Sequence, residues 1–116
     1  MNYQQYIPLI VEELKKAEPE KIILFGSYAY GVPNSDSDLD ILVVSNDREM
    51  PETFEEKHKI YIKIAQLIDH FSSKIPIDLI VHTQSMHKLF TKKNSLFAQE
   101  INSMGKVLYS KEMSNK

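Results

Sequence analysis

Apolar positions along this chain fall into two spacings, and the switches between them outline its elements. Ile7, Ile10, Val11 and Leu14 recur at helical intervals. Pro8 suits the first turn of that helix, where its missing N–H costs nothing, and Pro19 ends it. Lys21 to Phe25, KIILF, is short, rich in β-formers and closed by Gly26, which predicts a buried strand. Leu39 to Val44, LDILVV, predicts a second. Ile60, Ile64, Leu67, Ile68 and Phe71 mark one long amphipathic helix from about Thr53 to Ser72, with Thr53 and Glu56 matching a capping box. Ile75 to Val81, IPIDLIV, predicts a third strand, with Pro76 at its start. Helices are expected over Ser85–Lys92 and Asn94–Met104, with Gly105 as terminator, then a short strand over Lys106–Tyr109. Residues 111–116 read as a flexible tail. Helices alternating with strands predict an α/β (α+β) domain, a small mixed sheet covered by helices.

Composition narrows the class. The 116 residues are the usual size of one domain. Fourteen Lys+Arg against 16 Asp+Glu leave no basic footprint for tight nucleic-acid binding. The absence of cysteine rules out disulfides and thiolate metal sites, and fits a reducing cytoplasm. The N-terminal residues lack the basic and apolar regions of a signal peptide, and no apolar run reaches the ~18 residues of a membrane span. The expectation is a cytoplasmic globular domain.

The chemistry concentrates between the first two strands, in GSYAYGVPNSDSDLD. Side chains alternate along a strand, so Asp38 and Asp40 share a face, with α-carbons about 6–7 Å apart. Two carboxylates so placed can converge on divalent cations, and magnesium favours one or two carboxylates plus substrate phosphates. Gly26 and Ser27 stand where a strand gives way to a turn or short helix; glycine permits close backbone approach to a ligand, and exposed N–H groups with a hydroxyl favour phosphate. Asp78, alone among strand apolars, is a third carboxylate: if its strand lies beside the Asp38–Asp40 strand, it can complete a metal shell or act as general base.

Other motifs fail. Gly26 and Gly31 have P-loop spacing, but Val32-Pro33 follows in place of Lys-Ser/Thr. An EF-hand loop opening at Asp36 would need Gly at Ile41 and Glu at Asp47. A plain polar turn accounts for Asn34, Ser35 and Asp36, but not for Asp40 within an apolar strand. His58, His70, His82 and His87 lack zinc-ligand spacing; a solvated strand end is expected for His82. Tyr28 and Tyr30 read as packing of the short helix, Lys88, Lys92 and Lys93 as a solvated helix face, and Phe90, Leu96, Phe97 and Ile101 as core, or as a partner surface if exposed together.

Gly26-Ser27, ten residues, then Asp38-x-Asp40, with Asp78 on a later strand, resembles the signature of the DNA polymerase β-like nucleotidyltransferase superfamily. The closest resemblance is to its minimal nucleotidyltransferase (MNT) group, whose members pair with HEPN-domain proteins as antitoxin and toxin. The likeness covers nearly the whole chain, so residues 1–110 are read as one minimal domain. It implies that the first two strands are neighbours and that the Asp78 strand lies next to the second. It implies that Asp38, Asp40 and Asp78 are catalytic and hold Mg2+, as two ions, and that Gly26 and Ser27 bind the nucleotide. It also implies transfer of AMP from ATP to a tyrosine hydroxyl of a HEPN RNase toxin, in a hetero-oligomer, with no direct contact to nucleic acid or membrane. One position departs: Tyr30 stands where many members carry Arg in G-S-x-A-R-G, so a cation is missing beside the phosphates. Two alternatives stay open, a nucleotidyltransferase acting on a small-molecule hydroxyl and an antitoxin that acts by binding alone.

Overall fold

Strands β1 (Lys21–Phe25) and β2 (Leu39–Val44) pair antiparallel, with Phe25 opposite Asp40 and Lys21 opposite Val44. Strand β3 (Ile77–His82) lies parallel to β2 on its other side, and β4 (Lys106–Ser110) pairs antiparallel with β1 across a register shift between Ile22 and Ile23. The four-stranded mixed sheet therefore has the order β3-β2-β1-β4. The adjacency of the first two strands, and of the third to the second, is as the resemblance implies. The structure is a computed structural model that describes residues 2–34 and 36–114.

Helices cover the two faces unequally. Ile22, Leu24, Leu39, Ile41, Val43 and Val81 face the larger core, which is completed by α1 (Ile7–Leu14), α2 (Ser27–Tyr30), α3 (Phe54–Ala65) and α4 (Asp69–Ser72). The other face is thinner. Ile23, Phe25, Leu42 and Val44 meet Ile101 of α6 (Leu96–Met104), with Ile80 of β3 and Phe90 of α5 (Gln84–Lys93) packed alongside. Residues alternate between these faces along each strand, which is why β2 is apolar nearly throughout: both of its sides are covered. Among the described residues no helix is long and apolar enough to cross a membrane.

Several boundaries differ from those expected. The helix anticipated over Thr53–Ser72 is not continuous: a 3-10 turn at Gln66–Ile68 separates α3 from α4, yet Ile64, Ile68 and Phe71 all stay in the core. Its start is capped differently too. Thr53 accepts from the Glu56 N–H at 3.1 Å, but the Glu56 carboxylate accepts from the Glu52 N–H at 2.8 Å instead of closing the box onto Thr53. The third strand begins at Ile77, not Ile75, because Ile75 turns into the core and Pro76 offers its carbonyl to Leu39 N–H. The helix expected from Asn94 begins at Leu96: Asn94 ends α5 in the left-handed region at φ 51°, and Ser95 caps α6 by accepting from Ala98 N–H. Gly105 ends α6 in an extended conformation, and β4 runs one residue beyond the expected Tyr109. Lys111–Ser114 form one helical turn, α7; of the expected tail, Asn115 and Lys116 lie outside the described residues.

Thr83 joins the carboxylate-bearing strand β3 to α5. It is fully buried, and its hydroxyl accepts from Met86 N–H at 3.2 Å. Thr83→Val keeps the shape and removes the acceptor, so it should cost about 1 kcal/mol in urea unfolding, with an unchanged m-value.

Candidate active site

Strand directions bring the candidate residues to one end of the sheet. β1 ends where β2 and β3 begin. Gly26 follows the last residue of β1, Asp40 is the second residue of β2, and Asp78 is the second residue of β3. Asp40 pairs in register with Phe25 on one side and with Asp78 on the other. Paired residues project to the same face, so both carboxylates point to the thinner face, that of Phe25, Leu42 and Ile80. Asp38 lies just ahead of β2 and is exposed, with buried Ser37 and Leu39 on either side.

The turn that delivers Asp38 is held by its own side chains. Ser37 Oγ accepts from Asn34 N–H at 2.9 Å, Ser37 N–H donates to the Asn34 carbonyl at 3.1 Å, and Asn34 Oδ1 accepts from Asp36 N–H at 2.8 Å. This is the polar turn that the sequence leads one to expect for Asn34 and Asp36; Ser35 lies outside the described residues. On the other flank, Gly26 takes φ 72° and ψ −163°, a conformation nearly confined to glycine. A second constraint acts at the same residue. A Cβ built on Gly26 would collide with Oδ2 of Asp40 and would lie 2.9 Å from its Cγ. The Asp40 carboxylate therefore rests directly against the backbone at the turn into Ser27, so the glycine is required by contact as well as by torsion.

Asp40 is pushed up to about 6, first by burial and then by the charges of Asp78 and Asp38. The three carboxylates thus share one electrostatic field, centred on the most buried of them. The environment of Asp78 differs from expectation. β3 is an outer strand and Asp78 is exposed, so it is not a charge forced among buried apolars. Among the described residues no set of three His, Cys, Asp or Glu side chains closes around a single ion position. The donors nonetheless suit a hard cation shared with phosphate oxygens. They are carboxylates only, and their mutual repulsion is what a cation relieves.

Several participants are not evident from sequence. The Tyr30 hydroxyl is, among the described residues, the buried side-chain polar atom with no hydrogen-bond partner. Burial raises its pKa; the Gly26 backbone opposes this, while Glu100 and Asp40 add to it. Gly26, Glu100 and Asp40 are thus the polar groups around this hydroxyl, none of them within hydrogen-bonding geometry. Glu100 comes from α6, and no spacing in the sequence ties it to residue 30. His82 is not a solvated strand end as expected: its Nδ1 is 3.1 Å from Nδ1 of His87, and both rings pack on Phe90. Burial, with His87 and Lys57 adding, lowers His82 to about 4, and burial also lowers His87, so both imidazoles are neutral at pH 7. Tyr28 is core as expected, its hydroxyl accepting from Tyr3 N–H at 3.0 Å. Of the expected core residues on α5 and α6, Ile101 is buried and Phe90 half-buried. Phe97 and Leu96 are exposed, although Phe97 still meets Phe25 and Phe90 edge to face.

Comparison with known proteins agrees with this geometry. Residues 7–102 match the family described as the nucleotidyltransferase domain. The candidate protein adenylyltransferase MJ0604 of Methanocaldococcus jannaschii is 34% identical over 113 residues, covering 94% of this chain and all of that protein. Among solved structures, a candidate nucleotidyltransferase from Sulfolobus solfataricus superposes with a TM-score of 0.59 at 21% identity, over 93% of this chain and 80% of that one. A toxin–antitoxin crystal structure with AMP-PNP superposes with a TM-score of 0.52 at 23% identity, over 91% and 74%.

Two measurements test the site. Gly26 and Gly31 both have positive φ, 72° and 85°, but nothing lies within 4 Å of a Cβ placed on Gly31. Gly31→Ala should therefore cost about 1–2 kcal/mol, and Gly26→Ala distinctly more, as read by urea denaturation. The second concerns pH. Asp40 holds its proton more tightly folded, at about 6, than at its ordinary 3.8. Its contribution to stability is thus full below 3.8 and is lost as pH rises through about 6. In chelator-treated protein, the melting temperature of Asp40→Asn should gain on that of wild type as pH rises across this window.

Proposed function

The chain belongs to the nucleotidyltransferase domain family, and we propose that it transfers AMP from ATP to a tyrosine hydroxyl of a HEPN-domain RNase toxin, and so acts as an antitoxin. The observation that carries this reading is the meeting of Asp40, Asp78 and Asp38 with the Gly26 turn at one end of the sheet. In this reading Gly26 lets the triphosphate approach the backbone, and Ser27 binds a phosphate oxygen through its N–H and hydroxyl. Asp38, Asp40 and Asp78 would hold Mg2+, as two ions, which when bound neutralises phosphate charge and stabilises the attacking and leaving oxygens. Asp78, exposed on the outer strand, is the carboxylate an incoming hydroxyl reaches from solvent, and it accepts the tyrosine proton as general base. The tyrosine oxygen bonds to the α-phosphorus while the bond to the bridging oxygen breaks, and pyrophosphate leaves. Rate enhancement rests on positioning and on electrostatic neutralisation.

Tyr30 modifies this picture. Its buried hydroxyl can donate one neutral hydrogen bond where an Arg would offer a charged fork. This favours a slower enzyme, and it is the observation behind a second reading in which the chain silences its partner by binding alone. Both readings place it in the cytoplasm, in a hetero-oligomer with the toxin.

The deciding experiment measures the intact mass of both proteins after incubation with ATP and magnesium, using a HEPN protein encoded beside the gene. Adenylate added to the partner, and lost with Asp38→Asn plus Asp40→Asn, is the expected result. A silenced partner without added mass would replace catalysis by binding, and adenylate appearing only on a small hydroxyl compound would replace the protein acceptor.

A further inference from the structure

Strand β3 bounds the sheet, and its outer edge is unpaired among the described residues. The ladder to β2 uses the backbone of even-numbered residues: Leu39 N–H donates to the Pro76 carbonyl at 3.0 Å, and Ser45 N–H to the His82 carbonyl at 2.8 Å. Backbone groups alternate in direction along a strand, so those of Leu79 and Val81 point away from β2. They face a groove of about 380 Å³ between α3 and Met86 of α5. Exposed edges are usually blunted by Lys, Pro or a bulge. Ile77–His82 has no Lys, Pro or bulge, its one charge is Asp78, and its ladder with β2 is regular.

The walls of this groove have a definite chemistry. On α3, Phe54, His58 and Tyr61 form a stripe with ring centroids 6.0 and 6.5 Å apart, and Phe54 is 82% exposed. Lys57 stands among them. At one end the surface continues past Lys59 and Lys63, and at the other past Lys93. No carboxylate lines any of these three depressions; Asp47, Glu49, Glu52 and Glu56 gather in an adjoining one, which Arg48 and Lys59 also line. On a chain with two more acidic than basic residues, a face combining rings and lysines without acids is a local segregation of charge.

We propose that this groove receives an extended, acidic segment of the partner protein, which pairs with the outer edge of β3 as a fifth strand. The inference rests on the reading that the acceptor is a protein. Main-chain bonds to Leu79 and Val81 supply affinity, and the alternating side chains supply selectivity. A strand there lies about 4.8 Å from β3. Its residue opposite Asp78 projects to the face of Asp78 and Asp40, and the residues on either side of that one project toward the α3 rings. A tyrosine opposite Asp78 is thereby carried to the carboxylates, while flanking acids meet the lysines. The groove thus determines which partner residue is modified as well as where the partner docks.

The test selects a displayed library of short peptides, each with one fixed central tyrosine, on the full chain and on Asp38→Asn plus Asp40→Asn, without ATP. Both chains should enrich peptides with more Asp and Glu than Lys and Arg. A bound peptide should slow hydrogen exchange at the Leu79 and Val81 amides about tenfold or more. Tyr61→Ser with Lys57→Glu, both at exposed positions, should weaken binding about tenfold or more. Failure to enrich acidic peptides, unchanged exchange at both amides, or protection of those amides by self-association in peptide-free solution would each overturn the proposal. The two readings fail separately. Peptide bound in the groove but never adenylylated keeps the docking and removes transfer to tyrosine. Adenylylation of a partner protein that is undiminished by Tyr61→Ser with Lys57→Glu keeps transfer and removes the docking.

Discussion

The contact of the Asp40 carboxylate with the backbone of Gly26 is the constraint from which the rest of the site follows. It exists because β1 and β2 run antiparallel, so the end of one strand meets the start of the other. It tolerates no side chain at residue 26, and it fixes the height of the carboxylate above the turn into α2. The parallel pairing of β2 with β3 then sets Asp78 beside Asp40 without any further device. A parallel pair needs a long crossover, and α3 and α4 supply it while also closing the larger core. The same segment that positions Asp78 therefore stabilises the fold, and the chemistry is not an addition to the scaffold.

Electrostatics runs the other way. Asp40 holds its proton up to about 6 because burial and two neighbouring carboxylates disfavour its charge. At neutral pH the ion-free site works against folding, and the surrounding structure must compensate for it. Leu39, Ile41, Leu42 and Val43 are completely buried along the strand that carries Asp40, so the most strained charge sits on the best-packed element. A site arranged this way gains stability from any ligand that neutralises it, which couples occupancy to stability by mass action.

How legible all this is from sequence depends on the range of the determinants. The strands KIILF and LDILVV are bounded by Gly26 and by the Asp38 turn, both local signals, and their limits are as expected. Asp38, Asp40 and Gly26 stand out because the chemistry and the spacing share one stretch of chain. Asp78 is visible as a charge in an apolar strand, but its exposure is not, since that depends on β3 being an outer strand. The break after Ala65 leaves no mark on the apolar periodicity, because a 3-10 turn keeps Ile64, Ile68 and Phe71 on the core side. Asn94 reads as a helix residue until its left-handed conformation shows it ending one helix while Ser95 starts the next. Glu100 beside Tyr30 is a tertiary meeting that no local pattern encodes, whereas His82 and His87 lie only five residues apart and meet because a strand end turns directly into a helix.

Unequal covering of the two faces links the architecture to the kind of reaction it can host. The larger core is closed by four helices, while the carboxylate face carries only α5 and α6, with Phe97 and Leu96 exposed along its rim. A nucleotide lying over Asp40 and the Gly26 turn would meet that thin layer, but Asp78, at the outer strand, opens sideways onto the free edge of β3. Donor and acceptor then reach the carboxylates from different directions, and an in-line displacement requires this, because the attacking and leaving oxygens must lie on opposite sides of phosphorus. An edge strand left open at that point would be a hazard if it served only as the border of a sheet. On the proposed reading of Asp78 as the general base, the same opening is the path offered to a second chain.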